Sequence, residues 1–204
     1  VADIGTHWLD LLQFITGMRV VRVCAALKTF LPNRRRPVGS IETFQAKLAV
    51  PQDTEPVAID TEDQGSVLLE FDTGATGCFS VSQVMAGRKN RLDYEIAGSK
   101  GSLAWDSECP NDLWIGKRNE ANQVLMRDPS LVDAEVRSII AYPGGHNEGF
   151  GDTSKQLFRD VYAAVAKGQQ PAQPSFPTFA EGLRELRLCD AIVESHRKQS
   201  WIKV

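Results

Sequence analysis

The residues best suited to chemistry are Asp3 and His7, in the segment 3–10 (DIGTHWLD). They are four positions apart, so they share one face if this segment is helical. A carboxylate beside a group that titrates near neutral pH suits proton transfer. The residues alone leave a second interpretation open, a helix-surface ion pair worth about 0.2–0.5 kcal/mol.

The other two histidines are weaker candidates. His146 lies in the glycine-rich segment 142–150 (YPGGHNEGF), and such loops place polar side chains at the mouths of pockets. A plain surface residue is the alternative for His146. His196 stands among basic residues near the end of a predicted helix, where a positive charge is favourable without any chemistry. No spacing demands a metal site from Asp3, His7 and His146.

The elements that position these residues follow from the apolar pattern. Helical spacing predicts a helix over residues 4–16, which Gly17 ends. Residues 20–30 are rich in valine and predict a strand, whereas residues 32–40 contain three arginines and two prolines and predict a loop. His7 therefore lies on a predicted helix that precedes the predicted β-structure.

The middle of the chain predicts antiparallel hairpins. Residues 66–71 and 75–82 flank the turn tripeptide 72–74, and three further strands are predicted over residues 91–97, 102–105 and 113–116. Neighbouring strands joined by tight turns are antiparallel, because parallel neighbours need long crossovers.

Two helices are predicted late in the chain. Asp152 is expected to cap the first of them and Gly168 to end it, and a proline-rich connector, residues 169–177, follows. Residues 178–181 (TFAE) resemble a capping box that begins the second helix, whose predicted buried side comprises Leu183, Leu186, Ile192 and Val193. Residues 201–204 predict a last edge strand.

This order predicts an α+β fold with an open, predominantly antiparallel β-sheet and helices packed on one face, in a single domain over residues 1–204. The uncovered face is expected to present alternate apolar residues and to meet another subunit. The residues expected there are Val67, Leu69 and Phe71, or Phe79 and Val81.

Composition limits the partners. With 42% hydrophobic and 24% charged residues and a net charge of -3, the chain is an ordinary globular protein with no basic surplus for nucleic acid or an anionic membrane. No apolar run approaches the roughly 20 residues that span a bilayer. The four cysteines form no C-x-x-C pair and suit a reducing compartment, so the cytoplasm is expected.

Nucleotide-binding loops are missing from the sequence. Neither G-x-G-x-x-G nor G-x-x-x-x-G-K-[ST] occurs, and segment 98–101 (GSKG) joins two predicted strands, so it is expected to be a plain turn. No residue of this chain is therefore assigned to a cofactor.

Segment 3–10 resembles the D-x-G-x-H-x-x-D signature of the glucose–fructose oxidoreductase / inositol dehydrogenase family (Gfo/Idh/MocA). Further segments agree with that family in order along the chain, and with segment 3–10 they extend the resemblance over essentially all 204 residues. The resemblance concerns only the family's C-terminal domain. The agreeing segments are 71–75 (FDTGA), 86–92 (AGRKNRL), 98–105 (GSKGSLAW), 142–150 and 201–204 (WIKV).

The resemblance implies an NAD(P)-dependent dehydrogenase whose N-terminal Rossmann domain, absent from this chain, binds NAD or NADP. It implies that His7 is the catalytic acid/base for a hydroxyl of a sugar, inositol or related polyol. Asp3 would orient His7 and accept a hydrogen bond from the sugar, and His146 would line the sugar pocket. The family's E-K-P lysine motif does not occur here, so the chain alone is expected to be inactive.

The resemblance also implies a homodimer or homotetramer that forms through the open sheet face. Two functional hypotheses follow. The first is the substrate-binding and acid/base half of a dehydrogenase. The second is a non-catalytic module that binds a sugar or dimerises and has no nucleotide domain.

Overall fold

A computed structural model of the chain describes residues 1–39, 53–169 and 171–204. Its helices are α1 (Gly5–Thr16), α2 (Ala134–Arg137), α3 (Phe150–Lys167) and α4 (Phe179–Lys198). Its strands are β1 (Val20–Lys28), β2 (Asn33–Pro37), β3 (Thr54–Ala58), β4 (Gln64–Phe71), β5 (Thr76–Ser82), β6 (Asp93–Ala97), β7 (Gly101–Asp106), β8 (Asp112–Lys117), β9 (Gln123–Met126) and β10 (Ile202–Lys203). These elements confirm the predicted α+β class with antiparallel sheets. Position 40 of the predicted loop and position 170 of the predicted connector lie outside the described residues.

The chain forms two compact units. We call Val1–Ala86 with Phe179–Val204 the core unit, and Gly87–Thr178 the inserted unit. That residues 1–204 act as one substrate-binding domain stays a prediction beside this division.

The core unit contains a four-stranded antiparallel sheet in the order β10-β1-β4-β5. Helix α4 packs on β1, and α1 packs on α4. Alternation on β4 buries Val67 and Leu69 at 1% exposure each, while Leu68 between them stays 51% exposed. The helices therefore cover one face of this sheet only.

The identity of the open face corrects the sequence analysis. Val67, Leu69, Phe71 and Phe79, which were expected to be uncovered, are all buried. The alternate set along β4 is polar apart from Leu68, with Gln64, Ser66 and Glu70, so the apolar set is the one that packs under the helices. The open face instead presents Leu68, Ala26 and Cys78 among small polar residues.

The end of α4 completes an edge of this sheet. Strand β10 pairs with β1 only at Arg22 and Val23. Beyond that point, the N–H of Ala25 donates to the buried Ser195 Oγ (2.9 Å), and the N–H of Leu27 donates to His196 Nδ1 (3.2 Å). His196 thus has a structural role at the sheet edge.

The predicted loop over residues 32–40 is wrong over most of its length. Residues 33–37 are strand β2, which pairs antiparallel with β3 in a separate two-stranded sheet. Arg35 Nε donates to Thr54 Oγ1 (2.7 Å), and Arg36 pairs with Glu55 across the two strands. The arginine side chains stay in solvent while the backbone pairs, so their charge obscured a strand.

The inserted unit contains a four-stranded antiparallel sheet in the order β6-β7-β8-β9. Tyr94 stacks on Trp105 across β6 and β7, with ring centroids 5.8 Å apart. Helix α3 begins at Phe150, two residues before the predicted cap, Asp152. Asp152 therefore lies inside the first turn, where its Oδ2 accepts the Gly149 N–H (3.0 Å). Gly168 ends α3 as predicted, with φ 65°.

The buried side of α4 was predicted only in part. Ile192 is fully buried, but Leu183 and Leu186 are 50% and 60% exposed. The acidic Glu185 is buried between them. In the described ranges, no helix is both long enough and apolar enough to cross a membrane.

Candidate active site

Helix α1 holds the first candidate residues against the sheet of the core unit. Leu9 and Leu12 are buried, which is the apolar side that the sequence predicted. Trp8 stacks on Phe79 of β5 at 5.1 Å between ring centroids. Gly17 ends the helix with φ 68°, and its N–H donates to the Gln13 carbonyl (2.9 Å). The remaining side of α1 carries His7.

Asp3 lies on the turn that precedes α1. Its Oδ2 accepts a hydrogen bond from Gln83 Nε2 (2.7 Å). Gln83 lies just beyond the end of β5. Gln83 is 80 positions away in the chain, so no sequence signal pointed to it. Its amide fixes one carboxylate oxygen of Asp3.

His7 lies in the first turn of α1 and its side chain is exposed. No hydrogen bond or ion pair joins it to Asp3 within the described residues. The four-residue spacing predicts contact only where both residues are helical, and α1 begins at Gly5, after Asp3. That Asp3 orients His7 stays a prediction.

His7 interacts electrostatically with Asp10, which lies one helical turn further along α1. Burial raises the pKa of the Asp10 carboxyl, the charge of Glu181 on α4 raises it further, and His7 opposes the rise. Asp10 belongs to the signature segment 3–10, but the sequence analysis gave it no role. Its position three residues after His7 was the signal that could have identified it.

Glu185 extends this acidic group into the interior. Its Oε1 accepts a hydrogen bond from Gln13 Nε2 (2.9 Å), while its buried Oε2 has no hydrogen-bond partner in the described part of the chain. Burial raises the pKa of Glu185 to about 7, the charge of Asp10 adds to the rise, and Arg184 and Gln13 oppose it. The α1–α4 contact therefore holds a carboxyl that titrates near neutral pH.

His146 lies in the inserted unit, on the exposed loop between α2 and α3. Its carbonyl oxygen accepts a hydrogen bond from Arg127, and its N–H donates to the Pro143 carbonyl (3.3 Å). Asp3 and His7 belong to the core unit, so their grouping with His146 in one pocket stays a prediction.

The turn over residues 98–101 has a structural cause. Gly98 N–H donates to the Gly101 carbonyl (2.8 Å), which closes the turn between β6 and β7. A side chain on Gly101 would place its Cβ 2.6 Å from the Gly116 carbonyl oxygen of β8. Close strand packing therefore explains this glycine, and none of the described glycines forms a strand-to-helix cradle for a dinucleotide.

Comparison with known proteins assigns the chain to a family. Residues 1–104 match the family model described as the GFO/IDH/MocA C-terminal domain. The solved structure of an oxidoreductase domain protein from Kribbella flavida is 30% identical and has a TM-score of 0.79, over 99% of this chain and 49% of that chain. The class is thus an α+β domain that makes up about half of the solved protein. The chain belongs to the Gfo/Idh/MocA family.

The curated relatives include the levoglucosan dehydrogenase of Pseudarthrobacter phenanthrenivorans, 27% identical over 100% of this chain and 51% of the relative. A solved levoglucosan dehydrogenase in complex with NADH and L-sorbose is 26% identical with a TM-score of 0.79, over 99% of this chain and 49% of that chain. The chain spans about half the length of that curated relative.

Proposed function

We propose that this chain is the substrate-binding and acid/base half of an NAD(P)-dependent oxidoreductase that acts on a CH–OH group of a sugar, inositol or related polyol. The observation that carries the proposal is the exposed imidazole of His7 on α1, which interacts electrostatically with Asp10 of the same helix, in a domain of this family. A relative that is named for levoglucosan and solved with NADH supports the substrate class and the nicotinamide.

In this proposal His7 takes the proton of the substrate hydroxyl. Removing that proton makes it easier for a hydride to leave the same carbon, and a histidine is suited to the transfer near neutral pH. Asp3 keeps one oxygen on Gln83 and offers the other to a sugar hydroxyl. His146 supplies a further contact to the sugar.

The sequence of this chain has no G-x-G-x-x-G segment, and Gly98 and Gly101 close a turn between two strands rather than a strand-to-helix cradle for a dinucleotide. We therefore assign NAD or NADP, the hydride acceptor, to a part of the protein outside this chain. The cytoplasm remains the proposed compartment.

Self-association belongs to the same proposal. Leu68 is 51% exposed on the open face of the core unit, with Ala26 and Cys78 on neighbouring strands. An apolar patch on a sheet face favours pairing with a second copy, which gives a homodimer or homotetramer. Leu68→Lys is expected to yield monomers by light scattering at micromolar concentration, whereas Leu31→Lys, exposed outside this face, is not. A monomeric wild-type protein would contradict this part of the proposal.

The decisive experiment is His7→Ala in the protein as its gene encodes it. Oxidation of levoglucosan and myo-inositol is followed with NAD and with NADP, and kcat is expected to fall by roughly 10²–10⁴-fold. Asp60→Asn, an exposed surface change, serves as the control. Wild-type turnover by His7→Ala would refute the acid/base role.

Reading the DNA upstream of the Val1 codon, in frame, tests the division of labour. A G-x-G-x-x-G segment after a strand, with a later E-K-P lysine, would support the dehydrogenase. A start codon close to Val1 would instead favour the non-catalytic sugar-binding or dimerisation module.

A further inference from the structure

The side chain of Arg127 binds the backbone of the loop over residues 141–149, which we call the glycine loop. Arg127 directs its guanidinium to three carbonyl oxygens of this loop. Nη1 donates to Tyr142 (2.8 Å), and Nη2 donates to Pro143 (3.3 Å) and to His146. One planar cation therefore fixes the backbone on both sides of the glycine pair at positions 144 and 145.

Asn111 and Glu148 complete this arrangement. Asn111 Oδ1 accepts from Arg127 Nε (2.9 Å) and from the Glu148 N–H (3.0 Å), and Asn111 Nδ2 donates to the Glu148 carbonyl (3.1 Å). Glu148 Oε1 accepts the N–H groups of Ala141 (2.7 Å) and Tyr142 (2.8 Å). We call Arg127, Asn111 and Glu148 the loop clamp.

The loop clamp is anchored in the sheet of the inserted unit. Asn111 immediately precedes β8, Arg127 immediately follows β9, and the Arg127 N–H donates to the Asn111 carbonyl (2.7 Å). The side chains of Arg127 and Glu148 are only 15% and 13% exposed, with Nη1 and Oε1 3.4 Å apart. A largely buried charged pair with further hydrogen bonds holds a definite geometry better than an exposed pair.

The glycines of the loop are required by its shape. Gly145 has φ +81°, which favours glycine, and a Cβ on Gly144 would lie 2.0 Å from Asp128 Oδ2. The backbone on either side of His146 is thus fixed, whereas the His146 side chain is exposed and makes no hydrogen bond among the described residues. The loop presents this imidazole from a rigid base.

We propose that Arg127 is a positioning residue for substrate recognition, because its loop clamp fixes the backbone from which His146 presents its exposed imidazole to a substrate hydroxyl. The inference rests on the proposed function, since His146 is taken there as a sugar contact. Lysine cannot replace Arg127, because one ammonium has no planar fork with which to reach Asn111 and three carbonyls together.

The test compares Arg127→Lys with Arg118→Lys in the protein as its gene encodes it. Arg118 lies in the same unit, and among the described residues its side chain donates a single 3.3 Å bond, to the Ser99 carbonyl. Arg127→Lys is expected to raise KM for levoglucosan or myo-inositol by about 10- to 100-fold, because a displaced contact weakens binding of the sugar. The KM for the nicotinamide and kcat should stay near the wild-type values, as should every parameter of Arg118→Lys.

A double variant adds the specific readout. If Arg127 acts through His146, then Arg127→Lys combined with His146→Ala raises the sugar KM no further than His146→Ala alone. The inference would be overturned if the increase in sugar KM of the double variant equalled the product of the two single-variant increases. A wild-type sugar KM in Arg127→Lys would also overturn it. If Arg127→Lys loses its cooperative thermal transition, Gly145→Ala replaces it, since it disturbs the same loop without touching the clamp side chains.

Failure of the proposed function is distinguishable from failure of this inference. Wild-type turnover by His7→Ala would refute the acid/base role, but the sugar KM of Arg127→Lys could still be measured. If no probe is oxidised, the imidazole NMR signals of His146, assigned with His146→Ala, give the answer. They are expected to shift or split in Arg127→Lys and to stay unchanged in Arg118→Lys. Unchanged signals in Arg127→Lys would overturn the inference.

Discussion

The apolar residues that are fully buried in the described chain all belong to the core unit, among them Leu9, Leu69 and Ile192. In the inserted unit the only described residue that is buried is Gly116. There the strands are joined by backbone ladders, by a ring stack and by polar groups such as the loop clamp. Packing therefore defines the core unit, whereas directional polar contacts define the inserted unit.

Exposed apolar residues strengthen this contrast. Helix α3 is amphipathic, yet Phe158, Tyr162 and Val165 on it are 58%, 68% and 67% exposed. An apolar helix face that stays exposed contributes little to the stability of the chain. His7 therefore lies on a helix that packs in a buried core, whereas the position of the His146 backbone depends on a few hydrogen bonds.

The largest expected effect tests the contrast directly. Leu69→Ala removes a side chain that is 1% exposed in the middle of β4, and is expected to lower the free energy of unfolding by about 2–5 kcal/mol. Phe158→Ala on α3 is expected to change it by no more than about 0.5 kcal/mol. Urea unfolding of both variants of this chain gives the comparison. An equal loss at both positions would refute it, because Phe158 would then be packed.

Individual strands differ in how far the sequence reveals them. The hairpin over β4 and β5 was predicted nearly to the residue, because alternation and the Gly74 turn are local signals. Strand β2 was missed because its arginines look like a solvated loop, and β9 is too short to show a period. The buried face of β4 was assigned wrongly although its alternation is a local signal, because the apolar set was expected on the uncovered side.

The candidate site shows the same limit. His7 and Asp3 could be identified from one short segment, but the hydrogen bond from Gln83 to Asp3 joins distant positions. The loop clamp likewise joins a residue just before β8, a residue just after β9 and a residue of the glycine loop, and the pairing of β8 with β9 brings the first two together. Glu185 is buried although acidic residues usually face solvent. The apolar pattern of the helix therefore pointed to Leu183 and Leu186 instead.

A smaller effect concerns the one carboxyl that the core unit buries on α4. The pKa of Glu185 is raised from 4.5 to about 7, so between these pH values the folded chain holds more protons than the unfolded chain. Stability due to this group therefore falls as pH rises through that window, and the full cost is present above it. Glu185→Gln removes the charge and keeps an acceptor for Gln13.

Glu185→Gln is expected to raise the free energy of unfolding by about 1–2 kcal/mol near pH 8 and by almost nothing near about pH 4. Denaturant unfolding across this range measures the difference. Glu194→Gln on the same helix, where the carboxylate is exposed and paired with Lys198 at 2.6 Å, is the control and should change stability by less than about 0.5 kcal/mol. A pH-independent gain for Glu185→Gln would contradict the assigned burial cost.

The smallest effect compares one glycine from each unit. Gly145 in the glycine loop has φ +81°, so Gly145→Ala is expected to destabilise the chain by about 1 kcal/mol. Gly182 lies inside α4 with nothing within 4 Å of an added Cβ, so Gly182→Ala is expected to stabilise it by about 0.5–1 kcal/mol. Thermal unfolding reports both signs. If Gly145→Ala were neutral, the glycine loop would tolerate a change of backbone, and the rigid base assigned to His146 would lose its support.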